Sequence, residues 1–336
     1  METPLNVHEP SDVGEARRAA QAVAGHMLAT EEARGRAALV ATELATNLVK
    51  YAGGGEIVAR PYCEGAERGV EILALDSGPG ITNLQASLAD GHSTGGSLGF
   101  GLGTVLRGST LFDIYTGAGL GTAVLARVGQ TPAGEPAQPR RRLLDAGYAT
   151  AKQQQPQSGD AWSARSSGRV EWYTVIDGLG YGPHAAAAAA KAVRVFQEAT
   201  DSESPAALIE RAHLALKLTR GAVMAVAAID CSAGTLTYAS VGNIMGTLLV
   251  AGGERQRRLA ALDGTVGYNL RKARETVYPW GPGSTLVLNS DGVSTRWNLD
   301  RHSGLVTHHP ALVAGVLHRD FRRPNDDATV LVVQEP

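Results

Sequence analysis

Glu43 and Asn47, in the stretch "VATELATNLVKYAGGG", are the first residues in the chain whose types and spacing suggest chemistry. Residues at i and i+4 of a helix share a face, so a carboxylate and a carboxamide project together beside the apolar row Leu44, Leu48 and Tyr51. The carboxylate can orient or deprotonate a hydroxyl, and the carboxamide oxygen is a neutral ligand for Mg²⁺. A polar flank on an ordinary amphipathic helix has the same pattern, so the pair needs support from elsewhere. Support follows in order along the chain. An apolar strand, "EILALDSGPGI", ends in Asp76 and is followed by Gly78 and Gly80; "DGHSTGGSLGFGLGTVLRGST" then brings Gly99, Gly101 and Gly103 into a helix; Gly121-Thr122 lies on a final strand. Glycine lets backbone amides come close to phosphate oxygens, and a helix N-terminus adds unpaired N–H groups with a favourable dipole. An ionised Asp76 only accepts hydrogen bonds, which suits the exocyclic amine of adenine and disfavours the O6 of guanine. The Thr122 hydroxyl can support the same ring.

A second set lies in the other half of the chain: Gly159-Asp160, "VIDGLGYG" with Asp177-Gly178, "LVLNSDGV" with Asp291-Gly292, and "PNDDATVLVV" with Asp326-Asp327. Any one Asp-Gly is an ordinary turn. Three of these carboxylates, however, stand where an apolar strand begins or ends, so sheet packing can bring them to one rim. Carboxylates gathered there repel one another and rise in pKa unless cations neutralise them, and clustered oxygen ligands favour Mg²⁺ or Mn²⁺.

The elements that must position these residues fall into two groups. The chain has 336 residues, and about 150 per domain suggests two domains. Residues 128–140, "VGQTPAGEPAQPR", have three prolines, two glycines and no hydrophobic period, so the expected division is a domain at 1–128, a linker at 129–140 and a domain at 141–336. The first reads helix (12–27), helix (31–51), strands (56–63 and 69–75), a Gly/Ser loop, a short helix (102–109) and a strand pair (111–127): an α+β sandwich with helices on one face of a mixed sheet. The second reads strands at 143–152 and 169–176, helices from 184 and from 204, where Ser204 caps and Pro205 takes the first helical position, then strands at 222–229, 235–241, 246–250, 285–289 and 328–333. Two sheets covered by helices is the expected architecture.

Bulk properties exclude several classes. A net charge of −2, from 31 basic and 33 acidic residues, gives no reason to expect nucleic acid. Cys63 and Cys231 form no disulfide framework or metal-ligand spacing. Neither a targeting segment nor an apolar run of membrane-spanning length is present in the sequence, so the expectation is a cytoplasmic protein with no membrane partner. His302 and His308-His309 have no fixed spacing to a further ligand and read as surface residues.

With those motifs in order, residues 1–128 resemble the ATPase fold shared by gyrase, Hsp90, histidine kinases and anti-sigma-factor serine kinases, the GHKL superfamily. "ELATNLVKYAG" with "DGHSTGGSLGFGLG" looks most like its RsbT-type switch kinases of bacterial stress signalling. The resemblance implies ATP and Mg²⁺ as cofactors and a protein serine or threonine as acceptor. Glu43 would then be the catalytic base, Asn47 the Mg²⁺ ligand, and Asp76, Gly78, Gly80, Gly99, Gly101, Gly103 and Thr122 the nucleotide-binding residues. Residues 141–335 resemble the SpoIIE/RsbX branch of the PP2C phosphatases, whose fold is an αββα sandwich. That likeness implies two Mn²⁺ or Mg²⁺ ions bridged by Asp177, assisted by the Gly178 carbonyl and bound terminally by Asp160, Asp291 and Asp326, with hydrolysis of phosphoserine or phosphothreonine. Asp327 is the lesser candidate of its pair, Asn243 in "TYASVGN" reads as scaffold, and Tyr181 stands where such phosphatases commonly have histidine.

Together the two resemblances imply a bifunctional kinase and phosphatase acting on STAS-domain partners of a stressosome-type switch, with a downstream phosphatase or sigma-factor regulator as a further partner. Two alternatives differ in class. One is a phosphatase whose first domain only senses ATP; the other is a non-enzymatic module that sequesters partners. Glu43 favours transfer over sensing, since a sensor needs Asn47 and Asp76 but no base.

Overall fold

The computed structural model describes residues 4–88, 101–131, 143–153, 155, 157–200, 202–250 and 256–336. By their contacts they divide into two compact units. One holds the N-terminal residues together with Leu299–Val316; the other holds residues from Leu143 to Asn298 and from Leu317 to the end.

The first unit contains β1 (Leu5–Val7), α1 (Pro10–Met27), α2 (Glu31–Asn47), a π-helical turn (Leu48–Ala52), β2 (Gly55–Glu64), β3 (Glu67–Asp76), α3 (Leu84–Leu88), α4 (Gly101–Gly108), β4 (Leu111–Gly117) and β5 (Gly121–Gln130). The Thr30 hydroxyl accepts from the Ala33 amide at 3.2 Å and starts α2, with Glu31 and Glu32 favourable to the dipole in its first turn. Alanines four apart, Ala16, Ala20 and Ala24 on α1 and Ala33, Ala37, Ala41 and Ala45 on α2, are all buried and belong to the same apolar core. The strands form one sheet in the order β1-β2-β3-β5-β4. All four ladders are antiparallel, where a mixed sheet was expected. The short connections at Gly65–Ala66 and Ala118–Leu120 reverse the chain at once, and only antiparallel neighbours can be joined that way.

Strand β3 is buried on both faces. Val70, Ile72 and Ala74 join the core with α1 and α2. On the opposite face, Leu73 and Leu75 lie close to Gly315, and Glu71 is 2% exposed. Leu299–Val316 covers this face within the unit. His308 Nδ1 lies 2.8 Å from Asp113 Oδ1, the His309 amide donates to Asp113 Oδ2 at 2.8 Å, and Tyr115 reaches His302. The histidines expected at the surface are therefore packed: His302 is buried, and burial pushes the His309 imidazole down to about 4.

The second unit contains β6 (Leu144–Thr150), β7 (Asp160–Ser167), β8 (Val170–Gly178), α5 (Pro183–Gln197), α6 (Pro205–Leu216), β9 (Ala222–Asp230), β10 (Thr235–Val241), β11 (Met245–Leu249), β12 (Gln256–Arg258), β13 (Glu275–Pro279), β14 (Thr285–Asn289), the part of α7 (Pro310–Phe321) from Leu317 onward, and β15 (Ala328–Gln334). Two antiparallel sheets, β13-β10-β9-β8-β7 and β12-β11-β14-β15-β6, face each other across a core containing Tyr173, Val175, Ala225, Leu286, Leu288 and Leu331. Helices α5 and α6 cover the first sheet through Phe196, Leu208 and Ile209. Ser204 caps α6 as expected, accepting from the Ala207 amide at 3.3 Å. On the second sheet, the α7 imidazole of His318 meets Thr150 of β6 at 2.8 Å. Strands β7, β12 and β13 and helix α7 are not among the elements expected from the sequence, although α7 has an apolar period as clear as that of α6.

Candidate functional sites

In the first unit the two halves of the nucleotide motif lie at opposite ends of one short segment. Helix α2 delivers Glu43 and Asn47 on one face, then tightens no further but widens into the π-helical turn that ends at Gly53. A side chain placed on Gly101, the first residue of α4, would begin 3.4 Å from Asn47 Oδ1 and 3.9 Å from Glu43 Oε2. The Glu43 carboxylate, the Asn47 carboxamide and the N-terminus of α4 thus converge. Burial raises the Glu43 carboxyl above its ordinary value, with Lys50 acting against the rise.

The far end of the π-helical turn abuts the Asp76 turn, because a methyl group on Gly78 would come within 2.8 Å of the Ala52 Cα. Asp76 and Thr122 are directly paired across β3 and β5. Asp76 Oδ1 accepts from the Gly78 amide at 2.8 Å and from the Thr122 amide at 3.1 Å. The Thr122 hydroxyl lies 3.1 Å from that of Thr116, which also accepts from the Ile81 amide. Gly80 has φ +76° and would collide with the Gly117 carbonyl if it carried a side chain, so only glycine fits. Thr116 was not picked out from the sequence; the signal was its place opposite Thr122 on the neighbouring strand. Gly103 is buried within α4, and Gly99 lies outside the described residues.

In the second unit, β7 and β8 pair so that Asp160 and Asp177 stand opposite each other. Asp160 is 1% exposed; its Oδ2 accepts from Ser290 at 2.6 Å, and its Oδ1 is buried with no hydrogen-bond partner among the described residues. Burial and the Asp177 charge both raise its pKa. The Asp177 carboxyl is pushed up to about 7 by burial and by Asp291, Asp326 and Asp327. These five aspartates are therefore close enough to repel one another along one rim. A methyl group on Gly178 would strike the Ala185 carbonyl of α5, which fixes the close approach of helix and strand end.

Asp327 has a different task. Its Oδ1 accepts from the Lys152 amide and its Oδ2 from the Gly159 amide, both at 2.7 Å, so it ties the loop before β7 to the start of β15. Asp326 accepts only from its neighbour's amide, at 3.1 Å. Two further residues belong to the rim. Ser290 holds Asp160, and Asn243, read as scaffold, donates to Asp291 Oδ2 at 2.7 Å. A polar residue just before or after a strand-end turn was the only signal for either.

Among the described residues no three of these side chains close on one point as a complete ligand set. They do have the chemistry of a hard-cation site: oxygen donors only, an orphaned buried oxygen on Asp160, and pKa values raised by mutual repulsion. A divalent ion relieves each of these penalties, so the residues present fit Mg²⁺ or Mn²⁺.

Comparison with known proteins assigns each unit. The model of the family "Stage II sporulation protein E (SpoIIE)" matches residues 168–335, and that of the "Histidine kinase-like ATPase domain" matches residues 7–127. The serine/threonine-protein kinase RsbT of Bacillus subtilis is 40% identical over 85 residues, which are 25% of this chain and 64% of RsbT. The phosphoserine phosphatase RsbX of the same organism is 29% identical over 136 residues, 40% of this chain and 67% of RsbX. A structure described under the bacterial stressosome, 27% identical, superposes with a TM-score of 0.53 over 58% of this chain and all of its own. RsbX crystallised with magnesium, 22% identical, matches the fold with a TM-score of 0.50 over 58% of this chain and 96% of its own.

Proposed function

We propose that this chain, which belongs to the SpoIIE family and carries a histidine kinase-like ATPase domain ahead of its PP2C-type phosphatase domain, is a bifunctional partner-switching regulator. In this reading the first domain phosphorylates a serine or threonine of a STAS-domain protein, and the second removes phosphate from such a residue. The proposed domain limits are 1–128 and 141–336, with Leu299–Val316 covering one face of the first unit's sheet.

The observation that carries the kinase half is the convergence of Glu43, Asn47 and the start of α4. Glu43, raised by burial, accepts the proton of the incoming hydroxyl as its oxygen attacks the γ-phosphorus and ADP departs. Asn47 offers its amide oxygen to Mg²⁺, and the amides of α4 with Gly101 and Gly103 receive the phosphates. Asp76, set by the Gly78 and Thr122 amides, reads adenine with Thr122, and Gly80 shapes the turn. Gly99 is assigned to the same loop by resemblance alone. In the phosphatase half, Asp160, Asp177, Asp291 and Asp326, assisted by the Gly178 carbonyl, would hold two Mn²⁺ or Mg²⁺ ions. The ions, when bound, supply Lewis acidity to the phosphoryl oxygens and a water acidic enough to attack phosphorus. Ser290 and Asn243 keep two of these carboxylates in place, and Asp327 holds the loop that carries Asp160.

Incubating the full chain with Mg-ATP and a candidate STAS protein, and following intact masses, tests both halves. Phosphate should appear on the partner with ATP and disappear after ATP is removed and Mn²⁺ supplied. ATP binding without any transfer, alongside Mn²⁺-dependent dephosphorylation, would leave a phosphatase with a nucleotide sensor.

A further inference from the structure

Tyr181 has no role in the reading above, yet it follows Asp177 by four residues on the loop that leaves β8, and it is 58% exposed. Lys152 lies over that ring, its Nζ 4.6 Å from the centroid. Both partners are anchored beside the carboxylates. The Lys152 amide donates to Asp327, and the tyrosine loop is pinned by hydrogen bonds from the Gly178 amide to Gly159 and from the Leu179 amide to Gly221, each 3.0 Å. A third residue meets the same loop: Arg220 Nη1 lies 2.8 Å from the point where a side chain on Gly180 would begin. Neither Lys152 nor Arg220 has a carboxylate partner among the described residues.

The charge balance gives these cations a purpose. Asp160, Asp177, Asp291, Asp326 and Asp327 crowd one rim, and when ionised they outweigh two divalent ions, while a phosphomonoester brings roughly two more negative charges. Such a rim needs positive charge on the side from which the substrate arrives. An ammonium resting on an aromatic face is fixed in direction yet only partly desolvated, so it stays available to an anion.

We propose that Lys152, seated on Tyr181, and Arg220, packed against Gly180, bind the phosphoryl dianion of the substrate at the mouth of the phosphatase site, with Tyr181 as the positioning residue. This rests on the phosphatase reading of the second unit.

The full chain loaded with Mn²⁺ provides the test, with para-nitrophenyl phosphate for kinetics and inorganic phosphate for calorimetry. Lys152→Met should raise KM and weaken phosphate binding about tenfold each, the loss of one charge-assisted contact, with kcat within about twofold of wild type. Lys152→Arg should recover both. Tyr181→Phe keeps the ring face and should match wild type, whereas Tyr181→Ala should reproduce part of the Lys152→Met defect. The melting shift produced by Mn²⁺ should be the same in all of them. Wild-type KM and phosphate affinity in Lys152→Met overturn the proposal, as does a defect confined to Mn²⁺ affinity. A wild-type chain that binds Mn²⁺ and phosphate without hydrolysing the ester refutes the phosphatase reading instead, and the calorimetry of the variants still decides this one.

Discussion

Replacing Asp76 by asparagine separates nucleotide recognition from folding. In the native arrangement one oxygen, Oδ1, accepts from both the Gly78 and Thr122 amides, at 2.8 and 3.1 Å. An asparagine can put its amide oxygen in that place and keep both bonds, so the β3–β5 pairing and the Gly78–Gly80 turn should survive with little loss of stability. The other arm changes from an acceptor to an NH₂ donor, which opposes the amine of adenine instead of receiving from it. Losing one hydrogen bond to a charged acceptor costs about 1.5–3 kcal/mol, or roughly a 10- to 150-fold rise in Kd. Titration of Mg-ATP into the full-length wild type and Asp76→Asn by calorimetry reads this directly, with melting points of both proteins as the control for folding. Asp76→Ala supplies the contrast: it strands two buried amides and should lose stability as well as affinity. An unchanged Kd in Asp76→Asn would remove Asp76 from the adenine site, and an equal loss of melting point in both variants would show that its role is to hold the turn.

Three other outcomes are expected. Glu43→Ala should bind Mg-ATP normally but transfer phosphate about a hundredfold to ten-thousandfold more slowly, since a base acts in the transition state; lost affinity with normal transfer from bound ATP would contradict the assignment. The full chain should melt higher in Mn²⁺ than in chelator, by the equivalent of about 2.7 kcal/mol at a hundredfold excess over Kd, and Asp177→Asn should lose most of that gain; a melting point indifferent to metal would return the aspartates to ordinary turns. Acid should weaken the first unit through Glu71, whose buried carboxyl would rise on desolvation alone but is held down to about 2 by Arg60 and Arg127. Its folded-state value is depressed, so the stabilisation of about 3 kcal/mol is complete above the usual 4.5 and fades as pH falls toward 2. Denaturant melts across that range should show a steep loss in wild type and a shallower one in Glu71→Gln, which starts from lower stability because Arg60 and Arg127 each lose a buried ion pair to the carboxylate.

Much of both candidate sites was legible because the candidate residues also punctuate the chain. Asp76 ends β3, Asp177 is the next-to-last residue of β8, Asp291 follows the end of β14 by two residues, and Gly80 marks a turn that admits no side chain. What stayed hidden depends on partners far away in sequence. Nothing local distinguishes Asp326 from Asp327, yet the second is consumed by the amides of Lys152 and Gly159, more than 160 positions earlier. Asn243 and Ser290 look like turn residues until the strands that carry them bring them to Asp291 and Asp160. The histidines of Leu299–Val316 read as solvated because their partners, Asp113 and Tyr115, belong to a strand almost 200 residues before them.

The sequence by itself determined most of the longer elements and the chemical character of each rim: carboxylates, a carboxamide and glycines for one, oxygen donors alone for the other. The unbroken apolar run of β3 marked it as a buried strand, but not that α1 and α2 cover one face and Leu299–Val316 the other. Tertiary structure decided that, together with the register that sets Asp160 against Asp177 and the placement of Lys152 over Tyr181. The physical reason is that periodicity reports which side of an element must leave water, a property of its own residues, whereas the identity of what covers that side depends on packing between segments the chain has brought together from a distance.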